Sequence, residues 1–146
     1  MVEHVRELSP SPDVYVAANA EAEAVEEDGL RVFPCFSSSK HRYQGDIIDV
    51  VESLNPPLDV VHIQHEFGIF HTDECFLELL EYLRTCSKVL VVTMHTVLHA
   101  VWGMRMIDYQ RSLASFCDAL VVHSLPMEWE LMAQGVSSRK LYVIPH

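Results

Sequence analysis

Two hydrophobic patterns alternate along the chain. Short runs rich in β-branched and other apolar residues predict strands, whereas segments whose apolar residues recur at helical spacing predict helices. The predicted strands span residues 14–17, 31–34, 58–64, 88–94, 118–123 and 140–144. The predicted helices span residues 43–54, 73–84, 105–116 and 126–134, and Gly135 is the expected C-terminal cap of the last. This alternation predicts an α/β fold in which right-handed crossovers build a mostly parallel sheet covered on both faces.

Composition narrows the class of protein. The chain has 146 residues, which suits a single domain over residues 1–146. Its net charge of −11 disfavours nucleic-acid binding, because such a field repels phosphate backbones. Part of the acidic excess lies in residues 21–28, for which we predict a solvated helix face or loop.

The chain carries no sign of export or of membrane insertion. Its charged beginning lacks the apolar core of a signal peptide, and no apolar run approaches the ~20 residues of a membrane span. Four cysteines, none in a CxxC pair, are then expected to be reduced thiols in a cytosolic protein.

Polar and ionisable residues follow the predicted strands. Ligands of open parallel sheets bind beyond the carboxyl ends of the strands, so these residues are candidates for a site. Histidine suits such a place because its pKa lies near neutrality. Gly68 would allow a close approach of ligand to backbone, whereas His62, within a strand, is expected to be a satisfied core histidine. The candidates after the strands are His65, Glu66, Phe67, Gly68, His95, Thr96, Ser124 and His146.

The sequence lacks the motifs of several well-known classes of functional site. GxGxxG, the P-loop, HExxH and GxSxG are all absent, which disfavours dinucleotide, P-loop, zincin and serine-hydrolase interpretations. A metallohydrolase in which His65, Glu66 and His95 meet at the sheet edge stays open as an alternative, and so does a non-enzymatic α/β interaction module.

Four segments together resemble glycosyltransferase family 4. They are DVVHIQHEFGIF (59–70), TMHTVL (93–98), DALVVHS (118–124) and GVSSRKLYVIPH (135–146), in the order and spacing of that family. The resemblance covers about residues 45–146 and implies the Rossmann-like, three-layer N-terminal half of a GT-B enzyme. Members of that family retain anomeric configuration without a metal or other cofactor.

The resemblance also implies roles for particular residues. His95 would be the catalytic histidine that contacts the acceptor and the reacting sugar. The acceptor pocket would be lined by His65, Glu66, Phe67, Gly68 and Thr96. Ser124 and His146 would lie at the cleft between two domains. The partners implied are a nucleotide-sugar donor and a sugar or lipid-linked hydroxyl acceptor, in the cytoplasm or peripherally at the membrane.

Two parts of the family pattern are not matched. Nothing before Val14 resembles the usual first strand and glycine loop, and no donor-binding domain follows His146. We therefore expect a chain that is inactive alone, because transfer needs both walls of the cleft. A missing first strand would leave a sheet edge open, which predicts homo-oligomerisation or pairing by the N-terminal segment.

Overall fold

The fold is taken from a computed structural model, which describes residues 12–27, 29–37, 39, 43–55, 57–70, 72 and 74–145. Contacts divide the chain into two compact units, with the boundary between Leu54 and Asn55. Each unit has its own sheet.

The first unit has a three-stranded sheet and one helix. Its elements are β1 (Val14–Asn19), β2 (Val25–Glu27), β3 (Leu30–Phe36) and α1 (Tyr43–Ser53). The strand order is β1-β3-β2, with β1 parallel and β2 antiparallel to β3. α1 packs against β3, and the rings of Phe36 and Tyr43 lie 6.4 Å apart. Pro34 has no backbone N–H to donate to a neighbouring strand. It is tolerated within β3 because the pairing with β2 ends at Val32, two residues before it.

The acidic run differs from its prediction. Residues 25–27 form β2 instead of a helix face or loop, although Glu26 and Glu27 are exposed as expected. A tight turn through Gly29, at φ 73°, lets β2 fold back onto β3, and Arg31 donates to Glu26 across the pair at 2.6 Å.

The second unit alternates strands and helices. Its elements are β4 (Leu58–His65), α2 (Glu74–Cys86), β5 (Ser87–Met94), α3 (Met104–Phe116), β6 (Ala119–Val122), α4 (Leu125–Ala133) and β7 (Leu141–Val143). The strands are all parallel, in the order β4-β5-β6-β7. The predicted α/β fold of Rossmann-like type, with helices flanking a parallel sheet, is thus confirmed.

The two faces of this sheet differ in burial. On one face Leu90, Val92 and Met94 of β5 are fully buried; α2 packs against β5, and α3 packs against α2. Their neighbours along the strand point to the opposite face, because successive side chains of a strand alternate. On that face Val60 is 57% exposed and Tyr142 52% exposed. We call it the open face.

Within the described residues, β4 pairs only with β5 and is an edge strand of the second sheet. The described N-terminal strands belong to the sheet of the first unit. Homo-oligomerisation through an open edge stays a prediction. No helix in the described part of the chain is long and apolar enough to cross a membrane.

Candidate functional site

The parallel register brings the carboxyl ends of three strands together. Gln64 of β4 lies opposite Thr93 of β5, and Thr93 lies opposite Val121 of β6. The residues that leave these strands therefore meet at one edge, and His95 follows β5 directly there. The backbone N–H of His95 donates to the carbonyl of His65 at 3.0 Å, so the two strands stay joined up to this point.

A line of polar side chains crosses the open face towards this edge. Nε2 of His62 lies 2.8 Å from Oγ1 of Thr93 and 3.1 Å from Nε2 of Gln64. Oε1 of Gln64 in turn lies 2.8 Å from Nε2 of His95, whose side chain is exposed. The rings of His95 and His123 have their centroids 4.9 Å apart. His62 thus lies on an exposed face instead of in the core as predicted, and it begins a hydrogen-bonded line that ends at the candidate histidine.

Glu66 ties the loop after β4 to the loop after β5. Its Oε2 accepts from the Thr96 hydroxyl at 2.8 Å, and its Oε1 accepts from the backbone N–H of Phe67 at 2.8 Å. Its carbonyl accepts from the N–H groups of Ile69 and Phe70, which closes the turn that follows. Both carboxylate oxygens therefore hold protein groups, and Glu66 places Thr96 beside His95.

His65 lies in the core and not at the surface of the edge. Its side chain is fully buried, with the rings of Phe67 and Phe76 at 4.8 and 4.9 Å. Nε2 lies 3.3 Å from the hydroxyl of Tyr109, and buried Nδ1 has no hydrogen-bond partner among the residues that the structure describes. Burial lowers the pKa of His65 to about 4, so the ring is neutral at physiological pH. Its connection to the edge is the carbonyl that holds His95.

The remaining predicted site residues lie in different settings. Gly68 is exposed with a φ outside the positive range, and an added Cβ would meet no described atom within 4 Å. Its backbone conformation therefore does not require glycine. Phe67 is half-buried, and its ring contacts that of His65 edge-on. Ser124 is the half-buried N-cap of α4, and its hydroxyl makes no capping hydrogen bond. His146 lies outside the described residues.

Two buried glutamines hold the loop that follows Thr96. The amide of Gln110 accepts from the N–H of Leu98 at 2.8 Å and donates to its carbonyl at 2.9 Å. Gln134 donates to the same carbonyl at 2.7 Å and accepts from Gln110 at 2.6 Å. Glu130 accepts from the N–H of Ala100 at 3.0 Å, and hydrogen bonds from Gln134 and His99 hold its pKa below the usual value. The loop beside His95 is thus fixed by side chains from α3 and from the end of α4.

Among the described residues, neither a cluster of metal ligands nor a groove points to a second functional site. Among the described residues no group of three His, Cys, Asp or Glu side chains could hold a metal ion. A groove between α2 and α3 is lined by Glu74, Glu78 and Glu81 among others, but none of the edge residues lines it.

The sequence interpretation missed the residues that position His95. Gln64 is the predicted last residue of the strand 58–64 and is not among the predicted site residues, whereas in the structure it is the second-last residue of β4 and contacts His62 and His95. Gln110 could have been found, because a glutamine between Ile107 and Leu113 occupies a core position of α3. A polar residue at such a position needs buried partners.

Comparison with known proteins gives no identification, since no family model, no curated protein and no solved structure matches the chain.

Proposed function

We propose that this chain is the acceptor-binding domain of a retaining glycosyltransferase that moves a hexose from a nucleotide sugar to a hydroxyl acceptor. The observation that carries the proposal is the exposed His95, oriented by Gln64 and placed beside Thr96 at the carboxyl edge of a parallel sheet. The resemblance of residues 45–146 to glycosyltransferase family 4 assigns the acceptor to this same edge.

In the proposed transfer, the residues of this edge only orient and polarise the acceptor hydroxyl. The bond between the sugar C1 and the phosphate oxygen of the donor breaks, and a bond from C1 to the acceptor oxygen forms on the same face of the ring. The acceptor hydroxyl loses its proton, and the nucleoside diphosphate leaves. An imidazole within hydrogen-bond reach of that hydroxyl can orient it and polarise its O–H bond, a role for which histidine is well suited. The hydroxyl of Thr96 offers a second hydrogen-bonding group next to it.

The charge of this edge favours binding of the hydroxyl acceptor over binding of the nucleotide-sugar donor. Gln64, Glu66, His95, Thr96 and Ser124 include no lysine or arginine, and the whole chain has a net charge of −11. Such an edge suits a neutral hydroxyl compound better than a pyrophosphate, which proteins hold with arginine, lysine or helix N-termini. The donor would then bind to another wall, as the resemblance implies. The four free cysteines fit the reducing cytoplasm that we propose as its location.

Two measurements test the proposal. In the first, the ¹⁵N-labelled chain is titrated with octyl glucoside and octyl mannoside below their micelle concentrations, and amide shifts are mapped. We expect shifts at residues 64–68 and 95–96. In the second, the full-length protein is supplied with UDP- and GDP-hexoses and these acceptors, and release of nucleoside diphosphate is followed. We expect His95→Ala to lower turnover by roughly 10²–10⁴-fold, the usual contribution of a positioned acid–base group.

Lys88→Ala is the matched control, since Lys88 is exposed at the opposite, amino end of β5 and pairs with Asp59. Its turnover should equal that of the wild type. Unchanged turnover in His95→Ala, or amide shifts confined to residues away from the edge, would refute the proposed role. An equal loss in both variants would also count against it, because the loss would then not be specific to the edge.

A further inference from the structure

Gln64 lies between two histidines and contacts one with each end of its amide. Its Nε2 is 3.1 Å from Nε2 of His62, and its Oε1 is 2.8 Å from Nε2 of His95. His62 and Gln64 reach the same face because they lie two positions apart in β4. His95 reaches it from the next strand, where Thr93 also contacts His62.

The chemistry of an amide restricts this arrangement. The amide nitrogen only donates and the amide oxygen only accepts, while each imidazole Nε2 donates when protonated and accepts when not. With the nitrogen towards His62, Nε2 of His62 is unprotonated and Nε2 of His95 carries the proton. If the amide turns over, both assignments reverse. The hydroxyl of Thr93 adapts to either case, because it can donate or accept.

We propose that Gln64 is a positioning residue that sets the tautomer of His95, by permitting the Nε2 proton on only one of His62 and His95 at a time. When both histidines carry that proton, the amide nitrogen of Gln64 faces another donor at His62 and this hydrogen bond is lost, although the hydroxyl of Thr93 can still accept from His62. The observed orientation puts the proton of His95 on Nε2. Nδ1 is then the nitrogen with a lone pair, able to accept from an acceptor hydroxyl; this consequence, unlike the coupling itself, rests on the proposed function.

Other groups around the pair bear on its protonation. The ring of His123 approaches His95 from the end of β6, and its own Nδ1 donates to the carbonyl of Ile144 at 2.9 Å. The neutral, buried His65 ends β4, and Glu66 follows it in the loop. Partial burial lowers the pKa of His62, which agrees with its role as the acceptor of the pair.

The tautomers can be read directly. In the chain labelled with ¹⁵N-histidine, long-range proton–nitrogen spectra identify which ring nitrogen is protonated, and His62→Asn and His95→Asn assign the signals. At pH 7.5 we expect the wild type to show the Nδ1–H form for His62 and the Nε2–H form for His95. The reverse pair would also support the coupling, with the amide turned. Both rings in the Nε2–H form, or both in the Nδ1–H form, would overturn it.

Two variants test the cause. In Gln64→Glu the carboxylate accepts from both histidines, so both should show the Nε2–H form and their titration midpoints should move to higher pH. In Gln64→Leu each ring should titrate independently of the other, which is checked by repeating the titration with His62→Asn added. A mixed tautomer pair that persists in either variant would refute the role of Gln64. Amide signals of β5 confirm that each variant is folded.

The tautomer readout needs neither donor nor acceptor, so it can succeed while transfer proves independent of His95. Conversely, a His95-dependent transfer with the same pH profile in the wild type and in Gln64→Glu would leave the proposed function intact and refute the positioning role.

Discussion

The buried imidazole of His65 makes the stability of the second unit depend on pH. Its pKa is about 4 in the folded chain because burial disfavours the charged form, against an ordinary value of about 6.5 in the unfolded chain. Between about pH 6.5 and pH 4, His65 therefore binds a proton in the unfolded chain but not in the folded chain. Stability is lost as the pH falls from about 6.5 towards 4, and no further loss comes from this group at lower pH.

The size of the loss follows from the two pKa values. Between pH 7 and pH 5 the difference in proton binding amounts to about 2 kcal/mol, to order of magnitude. With a urea dependence of about 1–3 kcal/mol per molar, the unfolding midpoint should fall by roughly 1 M. Unfolding is followed by circular dichroism, and hydrogen exchange of the β5 amides reports on the second unit alone.

Two variants isolate the contribution of His65. His65→Phe places an aromatic ring among Phe67, Phe76 and Tyr109 and removes the titrating group, so most of this pH dependence should disappear. Tyr109→Phe removes the hydroxyl near Nε2 but keeps the imidazole buried, and it should retain the dependence. If His65→Phe loses as much stability as the wild type between pH 7 and pH 5, the reasoning from burial is wrong.

Gln110→Leu should strip Leu98 of two hydrogen bonds and destabilise the chain by about 2–3 kcal/mol, with faster exchange at the Leu98 amide than in the wild type. Unchanged exchange would show that the loop is held by other groups. Gly135→Ala should cost about 1–2 kcal/mol because its φ is 94°, whereas Gly45→Ala, inside α1, should raise stability by roughly 0.5–1 kcal/mol. Gly68→Ala should leave the urea midpoint unchanged, so any loss of acceptor binding in it reports on contact with ligand; a large fall in the midpoint would contradict the open space around Gly68.

Most elements of the second unit could be predicted because their patterns are strong. The continuous apolar run of β5 and the stripe of α2 each have one structural interpretation, and their observed bounds differ from the predicted ones by one or two residues. β2 was missed because its pairing with β3 is a tertiary contact across a turn, and two glutamates among its three residues hide it from a search for apolar runs.

The edge was predictable in position but not in detail. Parallel strands of known order bring their ends together, so the meeting of His95 with the β4 loop follows from the sequence. Which side chains of β4 face His95 depends on where the strand ends. The predicted end at Gln64 left His65 free in a loop, whereas the strand continues through His65 and turns its ring into the core. Because β4 is one residue longer than predicted, the side chain next to His95 is that of Gln64 and not that of His65.

The two glutamines under the loop have a consequence for the thermodynamics of binding. Ordering a free backbone costs about 1–2 kcal/mol per residue in conformational entropy, which a ligand that closes a loose loop must offset from its own contacts. Gln110 and Gln134 already hold Leu98 in the absence of any ligand, and Glu130 holds Ala100. A compound that binds beside Thr96 therefore meets a loop that is already ordered. Calorimetry should find only a small entropic penalty for its binding.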